Sequence, residues 1–241
     1  TRSARLAASP TAPSTPQGRL MSKLTASKAR ADLAALAASP QSWRTALGRP
    51  EAGANARRSA VLILVGLLEE SDADPALADV DLLLTRRSDD LRHHPGQVAF
   101  PGGGIDPGES ASQAAVREAV EEAGINPHGV DVIGQLADVP VVVSGNVVTP
   151  VLAWWAAPSA LVVDGTETAE AFRVPIAHLV DPTRRGMVHF ARPGDGRVFI
   201  GPAFEVAGHV VWGFTAYVLD ALLDSLGWAQ PWDHERAVEL P

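Results

Sequence analysis

The residues best suited to chemistry are three glutamates near the end of one predicted helix. Glu118, Glu121 and Glu122 stand at positions i, i+3 and i+4. Because an α-helix turns by about 100° per residue, their side chains share one arc of its surface. Like charges in one arc repel each other, and a divalent cation held by hard oxygen ligands relieves that repulsion. The pattern indicates a carboxylate metal site, with a solvated acidic helix face as the alternative.

The turn before this helix favours the metal site over the solvated face. Four of residues 102–108 are glycines, which allow backbone carbonyls to approach a bound ion closely. Ser110 can cap the start of the helix and Gly124 its end. The helix is alanine-rich and has no lysine to pair with the glutamates. Its predicted buried stripe consists of Val116, Ala119, Val120 and Ala123.

The rest of the chain predicts a central mixed sheet flanked by helices, an α/β fold of the mixed α+β kind. Predicted strands cover residues 59–68, 81–87, 97–101, 132–139, 147–156, 169–174, 187–191, 198–204 and 210–213. Further helices are predicted at 24–38, 175–179 and 215–226. Turn-forming residues favour two hairpins, one between the first two strands and one around residues 193–196.

A second cluster of candidate residues lies just before the glycine turn. It is a local positive patch made of Arg86, Arg87, Arg92, His93 and His94. Arginine can donate two parallel hydrogen bonds to phosphate oxygens, so the patch favours an anionic ligand. The alternative is that these arginines pair with the acidic residues 89 and 90, which lie among them.

The glycine turn and its helix resemble the Nudix box of the Nudix hydrolases. The matching spacing is Gly103, five residues, Glu109, seven residues, then Arg117-Glu118-Ala119-x-Glu121-Glu122-x-Gly124-Ile125. The resemblance implies a Nudix-type α/β/α sandwich and a pyrophosphohydrolase that uses Mg²⁺ or Mn²⁺. The implied catalytic and metal-site residues are Glu118, Glu122, Glu121, the Gly103 carbonyl, and Arg117 paired with Glu109. Ala119 departs from the family, which prefers a larger aliphatic residue there.

The residues upstream are similar to the signature of the coenzyme A pyrophosphatase subgroup. The matching residues are Leu83, Leu84, Thr85, Arg87, Ser88, Arg92, Gly96, Phe100, Pro101, Gly102 and Gly103. The likeness spans roughly residues 60–226 and implies cleavage of coenzyme A or acyl-CoA to 3′,5′-ADP and 4′-phosphopantetheine. The positive patch would then hold the outlying 3′-phosphate or orient the chain. Gly104 departs from the subgroup, which often has lysine.

Several alternatives remain open at this point. The substrate could be another nucleoside diphosphate derivative, such as ADP-ribose, NADH or a nucleoside triphosphate. The fold could instead serve a non-catalytic ligand-sensing module, or an interaction protein built around the N-terminal region. Glu167 and Glu170 are candidates for an additional acid, with a solvated strand edge as the alternative. The isolated histidines are interpreted as structural: His178, His189, His209 and His234.

Composition sets the remaining expectations. The 241 residues carry a formal net charge of −8, which argues against a nucleic-acid surface. The chain has no cysteine, so thiolate metal sites are excluded, and no apolar run is long enough to cross a bilayer. We expect a cytoplasmic protein with a small-molecule substrate and no membrane partner, and a homodimer is left open. We expect residues 1–58 to form a partly flexible tail and helix, and 59–241 to form the hydrolase domain.

Overall fold

The computed structural model describes residues 25–39, 43, 56–67, 80–91, 94–141, 145–191 and 198–240. The predicted N-terminal tail and two residues of the positive patch, Arg92 and His93, lie outside these ranges. No helix within them combines the length and apolarity needed to cross a membrane.

Four α-helices and eleven strands make up the described part of the chain. The helices are α1 (Ala26–Ala38), α2 (Ala111–Ala123), α3 (Ile176–Val180) and α4 (Gly213–Ser225). The first strands are β1 (Arg57–Leu67), β2 (Val80–Arg87), β3 (Val98–Ala99), β4 (Gly102–Gly104), β5 (Val130–Gln135) and β6 (Val139–Val141). The others are β7 (Asn146–Trp155), β8 (Thr168–Pro175), β9 (Arg185–Ala191), β10 (Val198–Val206) and β11 (His209–Val211).

Eight of the described strands form one mixed sheet. Its main path runs β3-β2-β1-β7-β5, while β4 pairs with β1, β6 with β7 and β8 with β2. The long β1 and β7 run parallel, with Ala60 opposite Thr149, and the other pairs are antiparallel. The predicted strand 132–139 is divided between β5 and β6. Strands β9, β10 and β11 form a separate antiparallel sheet.

The central sheet is covered on both faces, which gives the expected three layers. Side chains alternate along each strand, so Leu62 and Leu64 pack with α2 while Ile63 and Val65 pack on the opposite face. The α2 layer is built from small residues: Ala114, Ala115, Ala119 and Ala123 are fully buried. Larger side chains of α1 and α4 fill the opposite layer, among them Leu33, Leu36, Leu219 and Leu222.

The predicted hairpins and the N-terminal helix are present. Strand β1 pairs antiparallel with β2, and β9 with β10; both connecting loops fall outside the described residues. Helix α1 begins after Thr25, whose Oγ1 accepts a hydrogen bond from the Lys28 amide at 3.3 Å. Its Asp32 accepts a hydrogen bond from Trp228 Nε1 at 3.0 Å, so α1 packs into the same core as the downstream strands.

Candidate active site

The glycine turn is held against β1 by close backbone packing. Gly102 and Gly103 pair with Val61 and Ala60 on the first half of that strand. A Cβ added at Gly102 would come within 2.7 Å of the Val61 Cα atom. A Cβ added at Gly103 would overlap the Glu118 carboxylate, so this glycine creates the space in which that carboxylate lies. Gly102 therefore allows β4 to approach the backbone of β1, and Gly103 allows the Glu118 carboxylate to approach the turn.

Helix α2 begins and ends at the predicted residues. Ser110 Oγ accepts from the Gln113 amide at 3.3 Å, and Gln113 Oε1 accepts from the Ser110 amide at 2.9 Å, which forms a capping box. Gly124 ends the helix in the left-handed conformation, with φ of 65°. These two caps fix where the glutamates stand relative to the turn.

The predicted buried stripe of α2 is only half right. Ala119 and Ala123 are fully buried, but Val116 and Val120 are only partly buried. These two valines line an open groove of about 610 Å³ between α2 and β5, together with Val130 and Val132. The sheet is covered chiefly by alanines because Leu and Trp side chains of the strands already fill the space beneath the helix.

Arg117 connects three glutamates and the glycine turn. It donates from Nε and Nη2 to the two oxygens of Glu109, at 3.0 and 3.1 Å, as the family resemblance implies. Its Nη1 donates to Glu118 Oε1 at 2.9 Å and Glu121 Oε2 at 3.2 Å. Its Nη2 also donates to the carbonyl of Gly104 at 3.0 Å. The hydrogen bonds from Arg117 lower the pKa of Glu109, and Glu109 and Glu118 raise the pKa of Arg117.

Glu118 and Glu122 occupy a less hydrated environment than Glu121. Burial raises the pKa of Glu118, although its hydrogen bond from Arg117 opposes the shift. Burial also raises the pKa of Glu122 to about 7, and the negative charges of Glu118 and Glu167 add to that effect. The Gly102 amide donates to Glu122 Oε2 at 3.2 Å and works in the other direction. The Glu121 side chain is 58% exposed.

The two candidates for an additional acid are placed differently. Glu167 lies close enough to Glu122 for its charge to raise the pKa of that carboxyl group. Glu170 Oε2 instead lies within hydrogen-bond distance of His209 Nε2, at 3.0 Å, and that imidazole packs on Phe172 with ring centroids 5.1 Å apart. His209 therefore contacts both Glu170 and Phe172. Phe172 belongs to the sheet face opposite α2, so Glu170 is directed away from the α2 glutamates.

The described part of the positive patch is divided between the two faces of the sheet. Arg86 forms an ion pair with Asp89 at 2.6 Å, which is the alternative that the sequence left open for these arginines. Gly96, with φ of 66°, packs against this ion pair, and an added Cβ would lie 2.8 Å from Asp89 Oδ1. Arg87 is near enough to Glu122 to lower its pKa. His94 is exposed and adopts a φ of 57°.

The carboxylates at the turn fit a hard divalent cation, as a pair and not as a triad. Within the ranges that the structure describes, no three His, Asp or Glu side chains are grouped closely enough to hold a metal ion. Glu118 and Glu122 nevertheless both reach the glycine turn, and their oxygens are the donors that Mg²⁺ and Mn²⁺ prefer. In this structure Glu118 and Glu121 both accept hydrogen bonds from Arg117.

Sequence reasoning missed two backbone groups and one buried ion pair. The Gly102 amide and the Gly104 carbonyl hold Glu122 and Arg117, and their roles depend on the pairing of β4 with β1. Asp81, 1% exposed, pairs with Arg173, which stacks over the Trp155 ring at 4.9 Å. An aspartate placed directly before three leucines in an apolar strand was the available signal for that pair.

Comparisons with known proteins show which family this chain resembles. A family model described as the NUDIX domain matches residues 56–191. The uncharacterised Nudix hydrolase NudL of Photorhabdus laumondii is 40% identical over 151 residues, covering 58% of this chain and 74% of that protein. The NudL protein of Yersinia enterocolitica is 36% identical over 186 residues, covering 74% and 88%.

Two solved structures are also similar to this chain. The Nudix hydrolase RenU of M. smegmatis is 28% identical, with a TM-score of 0.41 over 52% of this chain and 74% of that one. The NUDIX domain of Shewanella oneidensis NrtR, solved with ADP-ribose, is 20% identical, with a TM-score of 0.40 over 56% and 83%.

Proposed function

This chain belongs to the Nudix family, and from that premise we propose that it hydrolyses the diphosphate bond of coenzyme A or acyl-CoA. The products would be 3′,5′-ADP and (acyl-)4′-phosphopantetheine. The observation that carries the proposal concerns the two sequence signatures on either side of the glycine turn, the upstream coenzyme A signature and the Nudix box. Arg87, from the upstream signature, lies within electrostatic reach of Glu122, from the Nudix box.

The proposed reaction is attack of water on one phosphorus of the diphosphate. An oxygen–phosphorus bond forms, the bridging phosphorus–oxygen bond breaks, and the departing phosphate keeps the bridging oxygen. A bound Mg²⁺ or Mn²⁺ would make the water more acidic and offset charge on the diphosphate. Glu118 and Glu122 are the proposed principal ligands, together with the carbonyl of Gly103, and Glu121 would ligate a second ion or act through water.

Other residues of the chain position these ligands or accept the proton. Arg117 and Glu109 hold the turn against α2 through their paired hydrogen bonds. The water proton would pass to a carboxylate of the site, and Glu167 is the additional acid that we retain, since its charge acts on Glu122. The proposal takes the protein to be cytoplasmic, with a small-molecule substrate and no nucleic-acid or membrane partner.

A second candidate function is the same chemistry on another nucleoside diphosphate derivative. Gly104 favours it, because the coenzyme A subgroup often has lysine at that position and this chain lacks that charge. ADP-ribose, NADH and nucleoside triphosphates are the compounds to compare.

The test is a substrate panel with the full chain. The protein is incubated with Mg²⁺ or Mn²⁺ and coenzyme A, an acyl-CoA, ADP-ribose, NADH or dNTPs, and products are identified by mass spectrometry. We expect 3′,5′-ADP and 4′-phosphopantetheine from coenzyme A at the highest kcat/KM, and turnover lower by roughly 10²–10⁴-fold in the Glu118→Gln variant. A higher kcat/KM for ADP-ribose or NADH would support the second candidate. Absence of turnover on every compound would contradict both.

A further inference from the structure

Adjacent arginines of β2 point to opposite faces of the central sheet. Leu83 packs in the cluster beneath α2, whereas Leu82 and Leu84 pack in the cluster on the other face. Since side chains alternate along a strand, Arg87 shares the face of Leu83 and Arg86 lies on the other. The pairing of β2 with β3 stays regular to the end of the strand, because Arg86 pairs with Val98 and the Arg87 amide donates to the Gln97 carbonyl at 3.0 Å. The register shift between β2 and β8 at this point skips Ala169, so the extra residue lies on β8.

The two arginines also differ in their partners. Arg86 Nη2 donates to both oxygens of Asp89, at 2.6 and 2.8 Å. Within the described ranges, no carboxylate forms an ion pair with Arg87, and its buried Nε has no hydrogen-bond partner. A buried donor without a partner is costly unless a ligand or water satisfies it. Of the two guanidinium groups, that of Arg87, on the α2 face, is therefore the one that can bind a ligand.

The surroundings of Arg87 contain the carboxylates of the candidate site. Glu122 lies within electrostatic reach, and the residue after Arg87, Ser88, donates its amide to the Glu167 carbonyl at 2.9 Å. A diphosphate bound beside these carboxylates needs positive charge from more than one direction. A guanidinium with a free edge can supply it through two parallel hydrogen bonds to phosphate oxygens.

We infer that Arg87 binds the diphosphate that is cleaved, and that Arg86 does not contact it. This inference rests on the proposed function and deepens it, because it separates two residues that the sequence places in one positive patch. Arg87 would then contact the reacting diphosphate. Any other phosphate of the substrate would be bound by other groups of the chain.

The test compares Arg87→Ala and Arg87→Lys with Arg86→Ala, using two readouts. The first is binding of methylenediphosphonate, a diphosphate that cannot be hydrolysed and has no outlying phosphate, by calorimetry with Mg²⁺ present. We expect affinity to fall by about 10- to 100-fold in Arg87→Ala, less in Arg87→Lys, and to stay within about twofold in Arg86→Ala. Mn²⁺ binding, followed by electron paramagnetic resonance, should be retained in all three variants.

The second readout is kcat/KM on coenzyme A and on 3′-dephospho-coenzyme A. Arg87→Ala should lower both by the same factor. A much larger loss on coenzyme A would assign Arg87 to the 3′-phosphate and overturn the inference, as would equal loss of methylenediphosphonate affinity in Arg86→Ala. If the wild type cleaves neither compound, the proposed function fails while the binding measurement still decides the role of Arg87. If Arg87→Ala does not fold, Arg87→Lys carries both measurements.

Discussion

Arg117 and Glu109 are joined by two nearly parallel hydrogen bonds, Nε to Oε1 at 3.0 Å and Nη2 to Oε2 at 3.1 Å. The bonds link the end of the glycine turn to the middle of α2. The same guanidinium holds Glu118 Oε1 at 2.9 Å, so the position of one proposed metal ligand depends on this pair. Arg117 therefore acts as a positioning residue for the carboxylates around it.

Arg117→Lys should lower kcat on the preferred substrate by roughly 10- to 100-fold, because a small displacement of catalytic groups is enough for such a loss. Lysine keeps the charge but cannot bond both Glu109 oxygens and Glu118 from one planar group. Steady-state kinetics checks this, with Arg30→Lys as a control at the exposed Arg30–Asp131 pair. Wild-type kcat in Arg117→Lys would show that charge alone suffices.

Glu118→Gln and Glu122→Gln should each lower turnover by roughly 10²–10⁴-fold while the fold is retained. Gln keeps the size of the side chain but removes the charge that a divalent cation requires. Kinetics and circular dichroism check the two halves of this prediction, with Glu235→Gln as a control at an exposed position. Near-normal turnover in either site variant would remove that residue from the proposed ligand set.

The turn and helix of the site could be predicted from sequence because their determinants are local. Ser110 and Gly124 cap α2 as expected, and Arg117 meets Glu109 over a separation of eight residues. The strands that support the site were also recognisable from their apolar runs, and the three-layer arrangement followed from their alternation with helices. Local signals were sufficient wherever the interacting groups lie on one element or on the turn beside it.

The sequence-based interpretation did not predict that Arg86 and Arg87 lie on opposite faces of the sheet. Treating the two as one patch ignored strand alternation, which by itself would have assigned them to opposite faces. The pairing of Glu170 with His209 was not predictable in this way, because it joins β8 to β11 across 39 residues. The register shift between β2 and β8 at Arg86/Arg87 was likewise not predictable from the sequence pattern.

The difference between Glu167 and Glu170 gives a third prediction. Glu167→Gln should lower turnover by about tenfold or more, since a charge near Glu122 is lost from the site. Glu170→Gln should change turnover by less than about threefold, because that carboxylate pairs with His209 on the other face of the sheet. Parallel kinetics on the preferred substrate decides between them. A larger loss of turnover in Glu170→Gln than in Glu167→Gln would instead identify Glu170 as the additional acid.

Ala119 should not tolerate the larger aliphatic side chain that the family prefers at this position. Ala119 is fully buried in a cluster that contains Leu62, Leu64 and Trp155. We expect Ala119→Leu to lower the free energy of unfolding by about 1–3 kcal/mol through overpacking. Urea denaturation measures the change, and Val120→Leu, at the edge of the groove, should change it by less. Unchanged stability in Ala119→Leu would reveal unfilled space beneath α2.

The pKa of Glu122 predicts how the stability of the metal-free protein depends on pH. Burial is the largest cause that raises this pKa from 4.5 to about 7 in the folded protein, and the charges of Glu118 and Glu167 add to it. Between these values the folded state binds more protons at this site than the unfolded state. The resulting contribution to stability is complete below pH 4.5 and is lost as pH rises through about 7.

Glu122→Gln removes this titration, so its free energy of unfolding relative to wild type should be higher at pH 8 than at pH 5. The expected change in that difference is about 3 kcal/mol, since one pKa unit corresponds to about 1.4 kcal/mol. Urea denaturation in the presence of EDTA measures it, because a bound cation would stabilise the ionised carboxylate. Glu121→Gln, at a side chain that is 58% exposed, controls for removal of one charge from α2. A difference that is equal at both pH values, or larger at pH 5, would contradict the raised pKa that burial gives Glu122 at this turn.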